Sequence, residues 1–437
     1  MKTVAIATLG CKTNQFETAT MIEQFRNAGY SMVAFTEAAD IYVINSCTVT
    51  ARTDAETRRL IRRARRLNPE ARIVATGCYA QVAPDELSRM PEVDVVLGNR
   101  EKLDSMLVAG AVENRVGNID TETELSPLQL TSFAEHTRAF LQVQNGCNSF
   151  CSYCIVPFAR GRSRSVAPGE VLDGIRRLVE NGFREVVLTG IHLGAYGLDL
   201  SPADSLEGLI RRILDATELP RLRIGSVDPN EFSDSLITLC ASSPAICHHF
   251  HIPLQSGCDS VLQRMGRPYD SAYFQELMEK IITVMPHAFI GSDIIAGFPG
   301  ETDQEFEATC SLIEALPLAD LHVFPYSKRP RTEAANMPGH LQPFVVNQRA
   351  ARLRLIAKNK NETFLAGAVG REIRVLGQQV DETTGIVRGI SREYIQAEFP
   401  GSPADLNVER TVLVTALHNG RALCQHETEV NTQKPGA

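Results

Sequence analysis

From its first residues to about Phe324 the chain alternates short apolar runs with longer amphipathic stretches, and this rhythm restricts the fold more than any other feature. Val4 to Ala7, Ile41 to Ile44, Ile73 to Ala75 and Val93 to Leu97 are runs of the kind buried on both faces of a parallel sheet. Phe16 to Ala28 and Thr53 to Leu67 lie between them with helical spacing, which predicts crossover helices and an α/β layered domain over residues 1–116. A polar stretch from Gly117 to His136 reads as a linker.

A second series follows over residues 134–368. Strands are expected at Phe140–Gln144, Glu185–Leu188, Leu222–Gly225, His249–Ile252, Ile290–Ile295 and Leu321–Phe324, with helices such as Gly169–Glu180, Ser205–Ala216 and Asp303–Leu316 between them. Six βα units are too few for a closed eight-stranded barrel, so a partial, open-sided barrel is predicted. Pro343 to Ala368 reads as one long helix. Beyond it, over residues 369–437, Glu372–Leu376, Gly385–Ile390, Glu393–Ala397 and Arg410–Ala416 are short strands between turn signals, which points to a small five-stranded barrel with a loose tail after His426.

At 437 residues the chain exceeds one ordinary core, and 43% hydrophobic with 22% charged residues is the composition of a globular protein. No apolar run approaches the roughly 20 residues of a membrane span. The start lacks the long apolar core of a signal peptide, so a cytoplasmic protein without a membrane partner is expected. In that reducing setting, grouped cysteines are metal ligands or catalytic groups more often than disulfides, and there are eleven. A net charge of -8 gives no general support to a nucleic-acid partner, so such contacts require local basic patches.

Cys147, Cys151 and Cys154 stand in a C-x3-C-x2-C spacing directly after the first barrel strand, at the end where barrel active sites collect. Three thiolates in one loop suit three corners of an iron–sulfur cubane and leave its fourth iron open. A zinc site lacking its fourth ligand, or three incidental cysteines, is the bland alternative. Cys11, Cys47 and Cys78 each lie just past an expected parallel strand, on the edge where α/β sheets bind ligands, so they converge on a second site or else are buried structural thiols.

The first spacing resembles the radical S-adenosylmethionine (SAM) superfamily, and Asp293 to Glu301 is similar to its glycine-rich adenine-binding segment. That likeness marks Tyr153, Thr189, Gly190, Ser226, Gly297, Gly300 and Glu301 as candidate SAM contacts. Leu9 to Gln15, Ile44 to Thr50 and Ala75 to Gln81 resemble the N-terminal domain of the methylthiotransferases. The stretches Cys151 to Ser165 and Phe324 to Arg329 are similar to the tRNA subfamily called MtaB, although Arg331 stands where that subfamily's pattern has glycine.

The resemblance implies two [4Fe-4S] clusters, held by Cys147, Cys151, Cys154 and by Cys11, Cys47, Cys78, together with SAM, an external low-potential electron donor and a C-terminal TRAM domain. It implies radical-based addition of a methylthio group at C2 of N6-threonylcarbamoyladenosine in the tRNA anticodon stem-loop, by a chain expected to be a monomer. Sister activities on isopentenyladenosine or on an aspartate of a small-subunit ribosomal protein, and a non-enzymatic redox-sensing RNA-binding protein, are the alternatives.

Arg160, Arg162, Arg164, Lys328 and Arg329 are candidate RNA contacts around the cluster loop. The arginines between Arg58 and Arg66 are either a phosphate-binding or a solvated helix face. Tyr394 and Phe399 are expected in core packing, and His249 and His251 inside the barrel.

Overall fold

The computed structural model describes residues 2–104, 108–110, 114–125 and 137–426. Of the polar stretch expected from Gly117 to His136, residues 117–125 are described and hold one helical turn at Ile119–Thr121, while residues 126–136 and the tail after His426 lie outside the described residues.

The N-terminal body is a five-stranded sheet in the order β2-β1-β3-β4-β5, built from β1 (Thr3–Thr8), β2 (Ser31–Met32), β3 (Ile41–Ser46), β4 (Arg72–Gly77) and β5 (Val95–Val96), all parallel. Its crossovers include α1 (Lys12–Asn27) and α2 (Ala51–Leu67), and α3 (Cys78–Val82) follows β4 directly. All six residues of β3 are buried, as a central strand covered on both faces requires. Strand β2 was not anticipated, because two residues carry no periodic signal.

The middle body is an arc of six parallel strands. Strands β6 (Arg138–Gln142), β9 (Glu185–Thr189) and β10 (Arg221–Ile224) form one half, and β11 (His249–His251), β12 (Phe289–Ala296) and β13 (Asp320–Pro325) the other. Parallel bridges Leu222–Ile246 and Ser226–His251 join the halves. A small antiparallel pair, β7 (Gln144–Asn145) with β8 (Arg164–Ser165), closes the loop after β6. Among the described residues β6 and β13 do not pair, so the barrel is open on one side, as six units predict. The N-terminal body covers that region: α1 packs on β6, and Phe16 joins the barrel's own hydrophobic core.

The long helix runs Pro343–Ala366 and leads to a closed barrel in the order β14-β15-β16-β18-β17, from β14 (Glu372–Asp381), β15 (Ile386–Ser391), β16 (Gln396–Pro400), β17 (Glu409–His418) and β18 (Arg421–His426). The strand expected at Glu393–Ala397 starts three residues later, since Tyr394 takes a left-handed φ of 66° and turns the chain back on the larger barrel. There the Tyr394 ring lies tilted against that of His249, with centroids 4.2 Å apart, while Phe399 is in the small barrel's core. Arg221 and Arg223, fully buried, share Glu185 at 2.8 Å and donate to carbonyls of Ile390, Ser391 and Arg392. The small barrel thus caps the N-terminal ends of the large barrel's strands and leaves their C-terminal ends to the chemistry.

Candidate active site

Three of the six candidate ligands follow a glycine: Gly10-Cys11, Gly77-Cys78 and Gly146-Cys147, with φ of 98°, 91° and 76°. The left-handed turn lifts each cysteine off its strand end, and only glycine takes it freely. Close approach adds a second reason. A Cβ on Gly10 would lie 2.6 Å from Cys47 Cβ, and one on Gly146 would lie 1.9 Å from the Arg162 carbonyl oxygen. The Gly-Cys pairs were visible in the sequence, yet their meaning depends on the backbone angle.

The structure brings each set together. Cys47 is pushed up to about 12 by burial and by the neighbouring Cys78 and Cys11; Cys154 is likewise raised to about 12 by burial and by Cys151 and Cys147. Each of these two thiols thus feels the other two sulfurs of its own set. Iron is the partner that such thiols favour, and its charge reverses the mutual repulsion. The surrounding cations fit anionic sulfur as well. Beside the first set, Arg267 donates from Nη1 to Cys151 Sγ at 3.3 Å and pairs with Asp228 at 2.9 Å. His192 places Nδ1 3.6 Å from Cys147 Sγ and Nε2 2.7 Å from Glu231. Burial alone would raise the Cys147 thiol, but contact with His192 outweighs it and holds the thiol below the ordinary range.

Beside the second set stands Arg160, which donates from Nε to Cys78 Sγ at 3.2 Å. Its terminal nitrogens bond Glu17 and Asn14, and Lys102 lies 2.6 Å from Glu17. Burial would push the Glu17 carboxyl up, yet Arg160 and Lys102 hold it below the usual carboxylate range. Asn99 seals the junction by donating to the Ala159 carbonyl at 2.7 Å. The arginine that serves the second set therefore comes from the middle body.

This corrects the RNA reading of three residues. Arg160, Arg164 and Arg329 are buried and used internally. Arg164 donates to the Arg160 carbonyl at 2.7 Å, and Arg329 donates to Thr48 and Asp54, both at 2.6 Å, beside Cys47. Arg162 and Lys328 are exposed. On α2, Arg58, Arg59, Arg62 and Arg65 pair with Glu86, Glu56, Glu92 and Asp94, while Arg63 and Arg66 are exposed, so most of this solvated face is neutralised.

A cleft opens between the segment that follows Cys47 and the cluster loop at Cys154. Val49 and Thr50, just past Cys47, form one wall; Tyr153, Cys154 and Ile155 form the other, with Ile295, Phe324 and Tyr326 behind. The Ala51 N–H donates to Ser327 Oγ at 3.0 Å and ties the walls together. Asp293 reaches the cleft from the barrel lumen, where it faces His251 at 3.0 Å and His322 at 3.4 Å, and Ser226 Oγ lies 3.0 Å from the other nitrogen of His251. His249 and His251 do share the lumen face.

The other candidate SAM contacts separate. Tyr153 lines the cleft. Thr189 and Gly190 sit at the end of β9, with Gly190 against Gln144. Glu301 turns inward, accepting from the Gly297 N–H at 2.8 Å and from Arg349 at 2.8 Å, so it braces the turn and does not face the cleft. Gly297 is packed beside Val346, whereas Gly300 has nothing within 4 Å of a built Cβ.

Two family models match the chain: an uncharacterized protein family, UPF0004, over residues 3–98, and the radical SAM superfamily over residues 141–313. A threonylcarbamoyladenosine tRNA methylthiotransferase MtaB of Bacillus subtilis is 38% identical over 92% of this chain and 91% of its own length. The MtaB of Aquifex aeolicus is 38% identical over 85% and 92%. The chain belongs to the MtaB family of radical SAM tRNA methylthiotransferases. A tRNA-2-methylthio-N(6)-dimethylallyladenosine synthase of Saccharopolyspora erythraea is 35% identical over 85% of this chain and 77% of its own length, so family membership reaches across substrates. SAM and iron–sulfur clusters are the cofactors of an MtaB-type enzyme. Among the described residues no helix is long and apolar enough to cross a membrane.

Proposed function

We propose that the chain adds a methylthio group at C2 of N6-threonylcarbamoyladenosine beside the tRNA anticodon, as a transferase of sulfur-containing groups. The observation that carries this reading is the cleft walled on one side by residues after Cys47 and on the other by Tyr153, Cys154 and Ile155. One three-thiol site would suffice to make a radical; a cleft bounded by Cys154 and by the residues that follow Cys47 suits a reaction in which an activated carbon receives sulfur. The relatives' names supply the nucleoside.

Cys147, Cys151 and Cys154 would hold the cluster that reduces SAM, and Cys11, Cys47 and Cys78 the one that carries sulfur. When bound, these groups supply the electron that generates a 5′-deoxyadenosyl radical and the sulfur that is transferred, chemistry beyond the reach of acid–base side chains at an aromatic C–H. The chain's own residues do the rest. Arg267 and His192 fix the sulfurs of one set, and Arg160 fixes Cys78 in the other. Ile155, Ile295 and Phe324 present apolar surface that keeps water from a reactive intermediate. The functional units follow residues 1–116, 134–368 and 369–437, the last in the role of a TRAM module. A cytoplasmic monomer served by an external low-potential electron donor completes the reading.

Mass spectrometry of nucleosides from a deletion strain tests it. Loss of the methylthio group from threonylcarbamoyladenosine alone is expected. Loss confined to dimethylallyladenosine, or to a ribosomal protein, overturns the substrate. Reduced, reconstituted protein that releases no 5′-deoxyadenosine from SAM overturns the chemistry.

A further inference from the structure

Phe150 lies inside the cluster loop, between Cys147 and Cys151, and is 41% exposed. Its ring meets Phe158 edge to face, with centroids 5.8 Å apart. The Arg162 guanidinium sits 5.0 Å from the Phe150 centroid, and the Arg331 guanidinium 4.5 Å from that of Phe158. The four side chains make one row, cation, ring, ring, cation, across the outside of the loop that carries three candidate ligands. Two of the four hold left-handed backbone, with φ of 45° at Phe150 and 69° at Arg331, a conformation that side chains of this size rarely take. Neither Arg162 nor Arg331 has an ion-pair partner among the described residues, in contrast to the paired arginines of α2. Exposed Lys328 lies on the segment leading to Arg331.

We infer that this row is a docking platform for single-stranded RNA, taking the loop nucleotides that flank the target adenosine. A guanidinium stacked on a ring keeps its N–H donors directed outward in one plane, which suits phosphate oxygens. An exposed ring between two such cations offers a base a stacking face, and unpaired loop nucleotides present bases to stack where a duplex does not. The charge is local, as an acidic chain with an RNA substrate requires. The inference rests on the tRNA reading above and adds a surface to it. Arg331 is its distinguishing member, because glycine would relax the turn and remove the cation together.

Fluorescence anisotropy of a labelled anticodon stem-loop on cluster-loaded protein tests the platform. Arg331→Gly is expected to weaken binding by about fivefold and to lower the salt dependence by roughly one phosphate contact. Arg331→Lys restores much of the affinity. Phe150→Asn, which tolerates the left-handed turn, is expected to weaken binding by about fivefold or more with the salt dependence unchanged. Arg331→Gly does not lower the thermal midpoint, so its loss of affinity is not unfolding. Binding by both variants within twofold of the parent overturns the platform while leaving the tRNA reading intact. Failure of the parent to bind the stem-loop overturns both.

Discussion

The two three-cysteine sites differ in how they are built. Cys147, Cys151 and Cys154 sit in one loop, and the groups that touch them, Arg267 and His192, belong to the same barrel. Cys11, Cys47 and Cys78 come from three strand ends of one sheet, and the guanidinium on Cys78 reaches in from the neighbouring body. The first site is complete within its own fold. The second is finished only when two bodies dock, so its integrity reports the interface through Arg160.

The largest effect separates the sites at that residue. Arg160→Met leaves Glu17 and Lys102 buried without their third member, and breaking such a buried network costs about 3–5 kcal/mol. The denaturant midpoint should fall accordingly. Iron analysis should show the second site depleted while the Cys147 loop still loads. Equal depletion of both sites, or neither, would remove the asymmetry.

The same contrast explains what could be read in advance. The contiguous C-x3-C-x2-C motif announced itself by spacing, and the dispersed set by its repeated place after strands. The βα rhythm gave all six barrel strands because apolar runs recur between helical stretches, even at β13, where only Leu321 is buried. Arg160, Arg164 and Arg329 were misread because a charge in sequence says nothing of where a neighbouring body will bury it. His192, Arg267, Glu17 and Lys102 had no signal at all, since their partners are distant along the chain. Gly10, Gly77 and Gly146 were legible only as turns, until the φ values tied them to the cysteines.

A second test probes the acid sensitivity of the junction between the two barrels. Where the small barrel caps the large one, burial would raise Glu185 and Glu409, but the arginines around them hold both at about 2, against an ordinary value of 4.5. A carboxyl depressed in the folded state adds stability that is fully present above its unfolded value and is lost as pH falls from about 4.5 toward 2. Lowering the pH from 7 to 3 should therefore loosen this cap. Glu185→Gln should be less stable at pH 7 and should show a flatter decline. Urea unfolding at the two pH values measures both, and parallel declines would show that the cap's carboxylates are not responsible.

The smallest expected effect lies at the first site, where the fold is self-sufficient and only tuning is left to change. Arg267 gives Cys151 a charge-assisted hydrogen bond from a guanidinium anchored by Asp228 and stacked 4.9 Å from the Tyr269 ring. Hydrogen bonds to cluster sulfurs favour the more negative, reduced state and raise the potential. Arg267→Met keeps the length of the side chain and removes the donor, so the potential of that cluster should drop while the Cys11, Cys47, Cys78 site is unmoved. Spectroscopic redox titration of protein loaded at one site at a time reads the two separately. A shift at the second site as large as that at the first would mean that Arg267 acts through the whole fold and not through its one sulfur, and the independence of the two sites would have to be given up.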